Sequence, residues 1–151
     1  MAESFTERVC DLVAAPRRLT APEKAEALTA FADTMAVAYA GWHEPVVQSI
    51  LPLYRGAEAA LLDGSRAASV EHAAFVHGTA AHALDYDDVE LTGVTHPSVP
   101  LVPGLLAVAA GRTGLAARIV PAYAVGLGVN IALARVFGFS HYDKGWHATR
   151  T

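Results

Sequence analysis

Cysteine is almost missing from this chain: Cys10 is the single one among 151 residues. That excludes an internal disulfide framework and any cysteine-based metal motif, and Cys10 is expected to be an inert buried thiol. Charge is scarce as well, with 17% charged against 53% hydrophobic residues, which is too apolar for a disordered segment. Eleven Lys and Arg against fifteen Asp and Glu leave a net charge of −4. No basic run exists, so binding to a phosphate backbone is excluded. Met1-Ala2-Glu3-Ser4 has neither the basic start nor the apolar run of a signal peptide, and a cytoplasmic location is expected. Long uninterrupted apolar runs are missing too. The 21 residues between Glu90 and Arg112 that carry no Asp, Glu, Lys or Arg are broken by Pro97, Pro100 and Pro103. The 16 between Arg118 and Arg135 span about 24 Å as a helix, short of a bilayer core of roughly 30 Å. Buried bundle helices, and no membrane span, are expected.

What is present is helical punctuation. Ser4-Phe5-Thr6-Glu7 and Thr20-Ala21-Pro22-Glu23 have capping-box spacing, in which a hydroxyl and a carboxylate satisfy free N–H groups at a helix start. Phe5, Val9, Leu12 and Val13 follow the first box and stop before Pro16. Leu28, Phe31, Met35 and Tyr39 follow the second as one stripe ending at Gly41. A third helix is expected over Pro45 to Tyr54, and a fourth from an N-cap at Ser69 to about Leu84. After a loop to Ser98, Pro100 and Pro103 fit a helix start, where N–H groups have no partner to lose. That helix should end near Ala110, before Gly111. The last, about Leu115 to Val136, is apolar all round, with Gly126 and Gly128 allowing another backbone to approach. Residues 56–68, with Asp63-Gly64-Ser65, are the one non-helical unit, a small hairpin. The expectation is an all-α single domain, a helical bundle long enough to bury a core.

Chemistry concentrates between His72 and Ser98. His72, His77 and His82 recur every five residues, each rotated by about 140° from the last, so one helix cannot turn all three to one ion, and no metal is expected. Asp85-Tyr86-Asp87-Asp88 follows a helix C-terminus, where carboxylates oppose the macrodipole by about 0.3–1 kcal/mol each. Such a conflict marks either a functional site or simply a solvated acidic loop. In Thr95-His96-Pro97-Ser98 the residue before proline is driven to extended geometry, which puts His96 just ahead of a helix. There the positive helix end suits a neutral imidazole and an anion, and a proton acceptor near pH 7 results. A loop-capping histidine fits equally. His141-Tyr142-Asp143-Lys144-Gly145-Trp146-His147 adds titratable groups after the last apolar helix. His147 is a second acid/base candidate and Lys144 an anion contact, unless the segment is a frayed end. Gly126-Leu127-Gly128 lies within a helix and lacks the rest of a dinucleotide fingerprint.

The run from Ala73 through His77-Gly78, His82 and Asp85-Tyr86-Asp87-Asp88, then Thr95-His96-Pro97-Ser98, then Gly145-Trp146-His147-Ala148-Thr149, resembles the MmgE/PrpD family. Asp33 to Gly41 is similar to that family's second helix. The resemblance covers nearly the whole chain, in order. It implies the N-terminal portion of a helical, usually dimeric domain doing cofactor-free lyase or isomerase chemistry on small polycarboxylates, as in 2-methylcitrate dehydratase and cis-aconitate decarboxylase. By motif, Asp85, His96 and His147 fall in the family's active-site region. Asp88, Ser98 and Lys144 are expected to bind substrate. His77 stands where the family usually has Asn, Val89 where a Thr is common, and Arg150 where a small residue is usual. Family members are longer, so the later active-site lysines and second domain are expected to lie outside this chain. Completion then falls to a homodimer or a second chain. The rival expectation is a non-catalytic remnant or a helical interaction and dimerisation module, since apolar surface patches mark interfaces.

Overall fold

The computed structural model describes residues 4–15 and 18–146. The elements, in chain order, are α1 (Phe5–Ala14), α2 (Ala21–Gly41) and α3 (Pro45–Ile50), the last continued by a tight 3-10 turn over Leu51–Tyr54. A hairpin of β1 (Arg55–Ala60) and β2 (Arg66–Ala67) follows, then α4 (Val70–His82) and α5 (Ser98–Ala109). A 3-10 turn at Ala116–Arg118 leads into α6 (Ile119–Phe137), and α7 (Ser140–Asp143) follows it. The protein is mostly α, as its punctuation implies. Both capping boxes form: Glu7 N–H donates to Ser4 Oγ and Ser4 N–H to Glu7 Oε2, and Thr20 pairs with Glu23 in the same reciprocal way. Each such cap stabilises its helix by about 1 kcal/mol. Ser69 caps α4 through its hydroxyl, which accepts from His72 N–H.

The hairpin turns at Asp63-Gly64-Ser65. Asp63 Oδ1 accepts from Ser65 N–H at 2.9 Å, and Gly64 takes φ +80, a conformation that costs glycine nothing. The strands are antiparallel, with a register shift between Arg55 and Ala59, both of which oppose Ala67. Gly56 passes against the Ala68 backbone with no room for a Cβ.

α4 lies between α2 and α5, and α5 packs in turn on α6. The main core joins Trp42, Val47, Leu51, Val76 and Val99 with small residues of α2 and α4. The smaller one centres on Ala27, Val102 and Tyr123. Alanines let α2 and α4 approach closely, and a Cβ at Gly41 would strike the Ala80 carbonyl.

Several expectations are corrected. Pro103 lies a turn inside α5, because the helix already begins at Ser98. Its missing N–H leaves the Val99 carbonyl, on the side where Gly78 of α4 approaches α5. Gly126 accommodates the Leu101 side chain rather than a backbone, and Gly128 faces open space. The glycines that do admit a close neighbour backbone are Gly41, Gly56 and Gly93. Cys10 is exposed rather than buried. The last apolar segment is longer than the charge-free stretch suggests, because Arg118 and Arg135 lie within it. Residues Ala116–Phe137 form a 22-residue helical stretch with mean hydropathy 1.6, long and apolar enough by length and composition to cross a membrane. It is also far less buried than an all-round apolar helix should be, with 11% of its most apolar window buried, although α1, α2 and α5 all touch it.

Candidate functional site

The loop joining α4 to α5 builds the site. It leaves α4 through Asp85, whose φ of +54 is left-handed, a region that Asp tolerates better than most side chains. This reversal sends Asp85 and Tyr86 outward and turns Asp87 inward, where its side chain is 0% exposed. Two imidazoles meet it there. His96 Nδ1 lies 2.8 Å from Asp87 Oδ2, and His82 Nδ1 lies 3.0 and 3.1 Å from the two carboxylate oxygens. A carboxylate accepts hydrogen bonds, so this is the geometry of two Nδ1–H donors on one acceptor. The rings meet edge to face, with centroids 4.7 Å apart.

With Nδ1 committed to Asp87, Nε2 is the lone-pair nitrogen of a neutral His96 ring. It points toward Asp85, whose Oδ1 stands 3.9 Å away. His96 is nearly enclosed at 9% exposure, while Asp85 at 78% opens the cluster to solvent. A buried carboxylate behind an imidazole fixes its orientation and stabilises the cation formed when it takes a proton, as in the carboxylate–histidine pairs of hydrolases. His82 reaches the other way. It lines a groove of about 660 Å³ with Phe75, Gly78, Thr79, Val99 and Pro100, apolar apart from that imidazole and the Thr79 hydroxyl.

Asp88 serves a second arrangement. Its Oδ1 accepts from Ser98 N–H at 3.1 Å and its Oδ2 from Ser98 Oγ at 2.6 Å, and the same hydroxyl lies 2.7 Å from Tyr123 Oη. Pro97 provides no side-chain cap to α5, so Asp88 caps it from a distance. The expectation that this acidic run opposes a helix dipole is therefore corrected: Asp88 faces the positive end of α5, where a carboxylate is favoured. Burial pushes the Tyr123 phenol above its ordinary pKa; the Ser98 hydrogen bond opposes this and the Asp88 carboxylate adds to it.

The rest of the loop is pinned. Glu90 and Thr95 exchange backbone hydrogen bonds at 2.8 and 3.1 Å. The Glu90 carboxylate accepts from Thr92 and Gly93 N–H. Hydrogen bonding from Thr92, its side chain foremost, and from Gly93 holds that carboxyl below its ordinary pKa. Gly93 sits against Ala134 of α6, and Thr95 Oγ1 donates to Asn130 Oδ1 at 3.2 Å. α7 folds back on the same loop, with Tyr142 Oη donating to the Val94 carbonyl at 3.2 Å.

Of the residues singled out from sequence, Asp85 and His96 meet at one cluster, and Asp88 and Ser98 meet on the adjoining side of the loop. Lys144 is exposed just past α7. His147 lies outside the described residues. Sequence reasoning missed Asp87, His82 and Tyr123. The signal for Asp87 was an aspartate just past a helix end, a residue type able to reverse the chain. His82 shares a five-residue spacing with His72 and His77, which lie elsewhere, His72 on Tyr54 and His77 on Trp42. Burial depresses the His77 pKa, with Asp63 opposing the shift.

Comparison with known proteins gives one match of length. A family model described as the MmgE/PrpD N-terminal domain matches residues 7–151. No curated protein matches the chain. The histidine and aspartate cluster sits within the matched region, on the motifs by which the sequence resembles the family. With nearly every residue inside that match, the chain belongs to the MmgE/PrpD family, a family of dehydratase-type lyases.

Proposed function

We propose that this chain supplies the acid/base part of a cofactor-independent lyase or isomerase that acts on small di- or tricarboxylates in the cytoplasm. The observation that carries the reading is the 2.8 Å contact between buried Asp87 and His96 Nδ1, which presents Nε2 as the working nitrogen. In a dehydration, His96 Nε2 takes a proton from the carbon α to a substrate carboxylate. The C–H electron pair forms the double bond, and the β-hydroxyl leaves as water after accepting a proton from a second acid. In a decarboxylation, the electron pair released with CO2 stays on carbon, and His96 in its protonated form delivers the proton. General acid/base catalysis of this kind contributes typically 10²–10⁴-fold.

His147 is the second acid/base group in this scheme. Asp85, 3.9 Å from His96 Nε2, receives or orients the proton at the mouth of the cluster. Lys144 gives a cationic contact for a substrate carboxylate. Asp88 and Ser98 act at the substrate side by holding the loop on α5. The complete site forms in a homodimer or with a second chain. The test assays the chain, assembled with the remainder of its site, against 2-methylcitrate and cis-aconitate. Turnover lost by at least about a hundredfold in His96→Gln and His147→Gln supports the scheme. Unchanged activity in both variants contradicts it.

A second reading, a helical interaction module without chemistry of its own, is favoured by one observation. α6 and the turn after it leave Val136 77%, Phe137 58% and Phe139 55% exposed, a contiguous apolar end of the kind that seeks a partner. Sedimentation of the purified chain tests that role: a clean monomer counts against it.

A further inference from the structure

We infer that His82 is a positioning residue for the proton transfer at His96, acting through the carboxylate that the two rings share. The inference rests on the acid/base reading of His96 and extends it to a second histidine. Asp87 has a side chain 0% exposed, and the donors that reach it among the described residues are the two imidazoles. His96 Nδ1 takes one oxygen, Oδ2, at 2.8 Å. His82 Nδ1 lies 3.0 Å from Oδ1 and 3.1 Å from Oδ2, so its N–H is aimed between the two oxygens. A donor on one oxygen alone leaves the carboxylate free to turn, because the terminal torsion of aspartate is broad. A second donor that spans both oxygens fixes the carboxylate plane, and with it the direction from which His96 is held.

His82 is itself held in place. It is the last residue of α4, and its carbonyl accepts from Asp85 N–H at 3.1 Å across the chain reversal. The two rings meet edge to face, with their planes at 68°, so each limits the rotation of the other. His82 also separates Asp87 from the groove along α4 and α5. It forms part of the groove's lining and is 31% exposed, while the carboxylate behind it is enclosed. Truncating His82 takes a donor from a buried carboxylate and opens that carboxylate to groove water. Asp87 can then turn toward the water, and His96 Nδ1–H loses the fixed acceptor that keeps Nε2 as the lone-pair nitrogen. The loss falls on the step in which His96 becomes charged, since that cation depends on a carboxylate held against it.

The experiment compares His82→Ala with His82→Asn, since asparagine keeps an N–H donor at the δ position. Proton NMR of the chain, labelled at its histidine nitrogens, reads the ring N–H groups directly. The parent should show a His96 Nδ1–H signal shifted downfield and protected from solvent by Asp87, assigned by its absence in His96→Gln. In His82→Ala that proton should exchange with water at least about tenfold faster, and in His82→Asn it should stay protected. In the chain assembled with the remainder of its site, His82→Ala should lower kcat on 2-methylcitrate or cis-aconitate by at least about tenfold, with KM within about twofold. His82→Asn should restore kcat to within about threefold of the parent. Far-UV circular dichroism of the variants shows that the fold is retained. A His96 Nδ1–H signal that is absent from the parent, or unchanged in His82→Ala, overturns the inference. So does a His82→Asn variant as impaired as His82→Ala, because a donor then restores nothing. Turnover that His96→Gln abolishes and His82→Ala leaves intact overturns it too, while sparing the acid/base reading of His96. Turnover indifferent to His96→Gln, or none at all, removes both.

Discussion

Removing the Ser98 hydroxyl should loosen the hold of α5 on the loop and on α6. Ser98 and Tyr123 are both 0% exposed, and one hydroxyl serves Asp88 at 2.6 Å and Tyr123 at 2.7 Å. A hydrogen bond to a charged group contributes about 1.5–3 kcal/mol, and a buried hydroxyl left without a partner costs about 1–3 kcal/mol. Asp88 borders an open groove beside Tyr123 and regains water when Ser98 is truncated, so the two losses do not add in full. Ser98→Ala is therefore expected to destabilise the protein by about 2–3 kcal/mol. Tyr123→Phe removes the phenol but leaves the Asp88–Ser98 bond, and should cost about 1 kcal/mol. Urea unfolding followed by far-UV circular dichroism reads both. With a slope of about 1–3 kcal/mol/M, the Ser98→Ala midpoint should fall by about 0.7–3 M. The double variant should be less destabilised than the sum of the two, because the orphaned phenol is then gone. A Ser98→Ala variant within about 0.5 kcal/mol of the parent would refute the reasoning, as would strict additivity.

The other predictions follow from close packing and from burial. Gly41→Ala places a Cβ on the Ala80 carbonyl and should cost about 1–3 kcal/mol as overpacking, read as a lowered thermal midpoint; an unchanged midpoint would show that α2 and α4 separate freely. The His77 imidazole, depressed from 6.5 by burial, should titrate below that value by NMR. Its neutral form is the one the fold favours, so this contribution is present above pH 6.5 and is lost as pH falls through the folded-state pKa. Tyr123 is shifted upward from 10.0. Its contribution is therefore complete below pH 10 and is lost as pH rises through the folded-state value, and Tyr123→Phe should remove that alkaline dependence.

Much of the helical frame was legible because its signals are local. Two capping boxes, Ser69, Gly41 and the Asp63-Gly64-Ser65 turn each act within a few residues, and each appears where spacing puts it. His96 stands ahead of α5 because of the proline after it, which is again a local rule. The cluster itself was legible only in part. Which of three neighbouring aspartates faces inward depends on one left-handed residue, Asp85, and the burial of Asp87 then follows from contacts with α4 and α5. Hydrophobic periodicity carries no information about a partner nine residues along the chain and across a loop. The same limit explains α6: its sequence shows apolar residues on every side but not which neighbours cover them.

Hydrogen exchange at carbon tests the central claim most directly. The chain, assembled with the remainder of its site, is incubated with 2-methylcitrate in deuterated water, and deuterium at the carbon α to the carboxylates is followed by NMR. Proton transfer by an Asp87-held His96 predicts enzyme-dependent exchange that is lost in His96→Gln and slowed in Asp87→Asn. Exchange that persists at the parent rate in His96→Gln would contradict it.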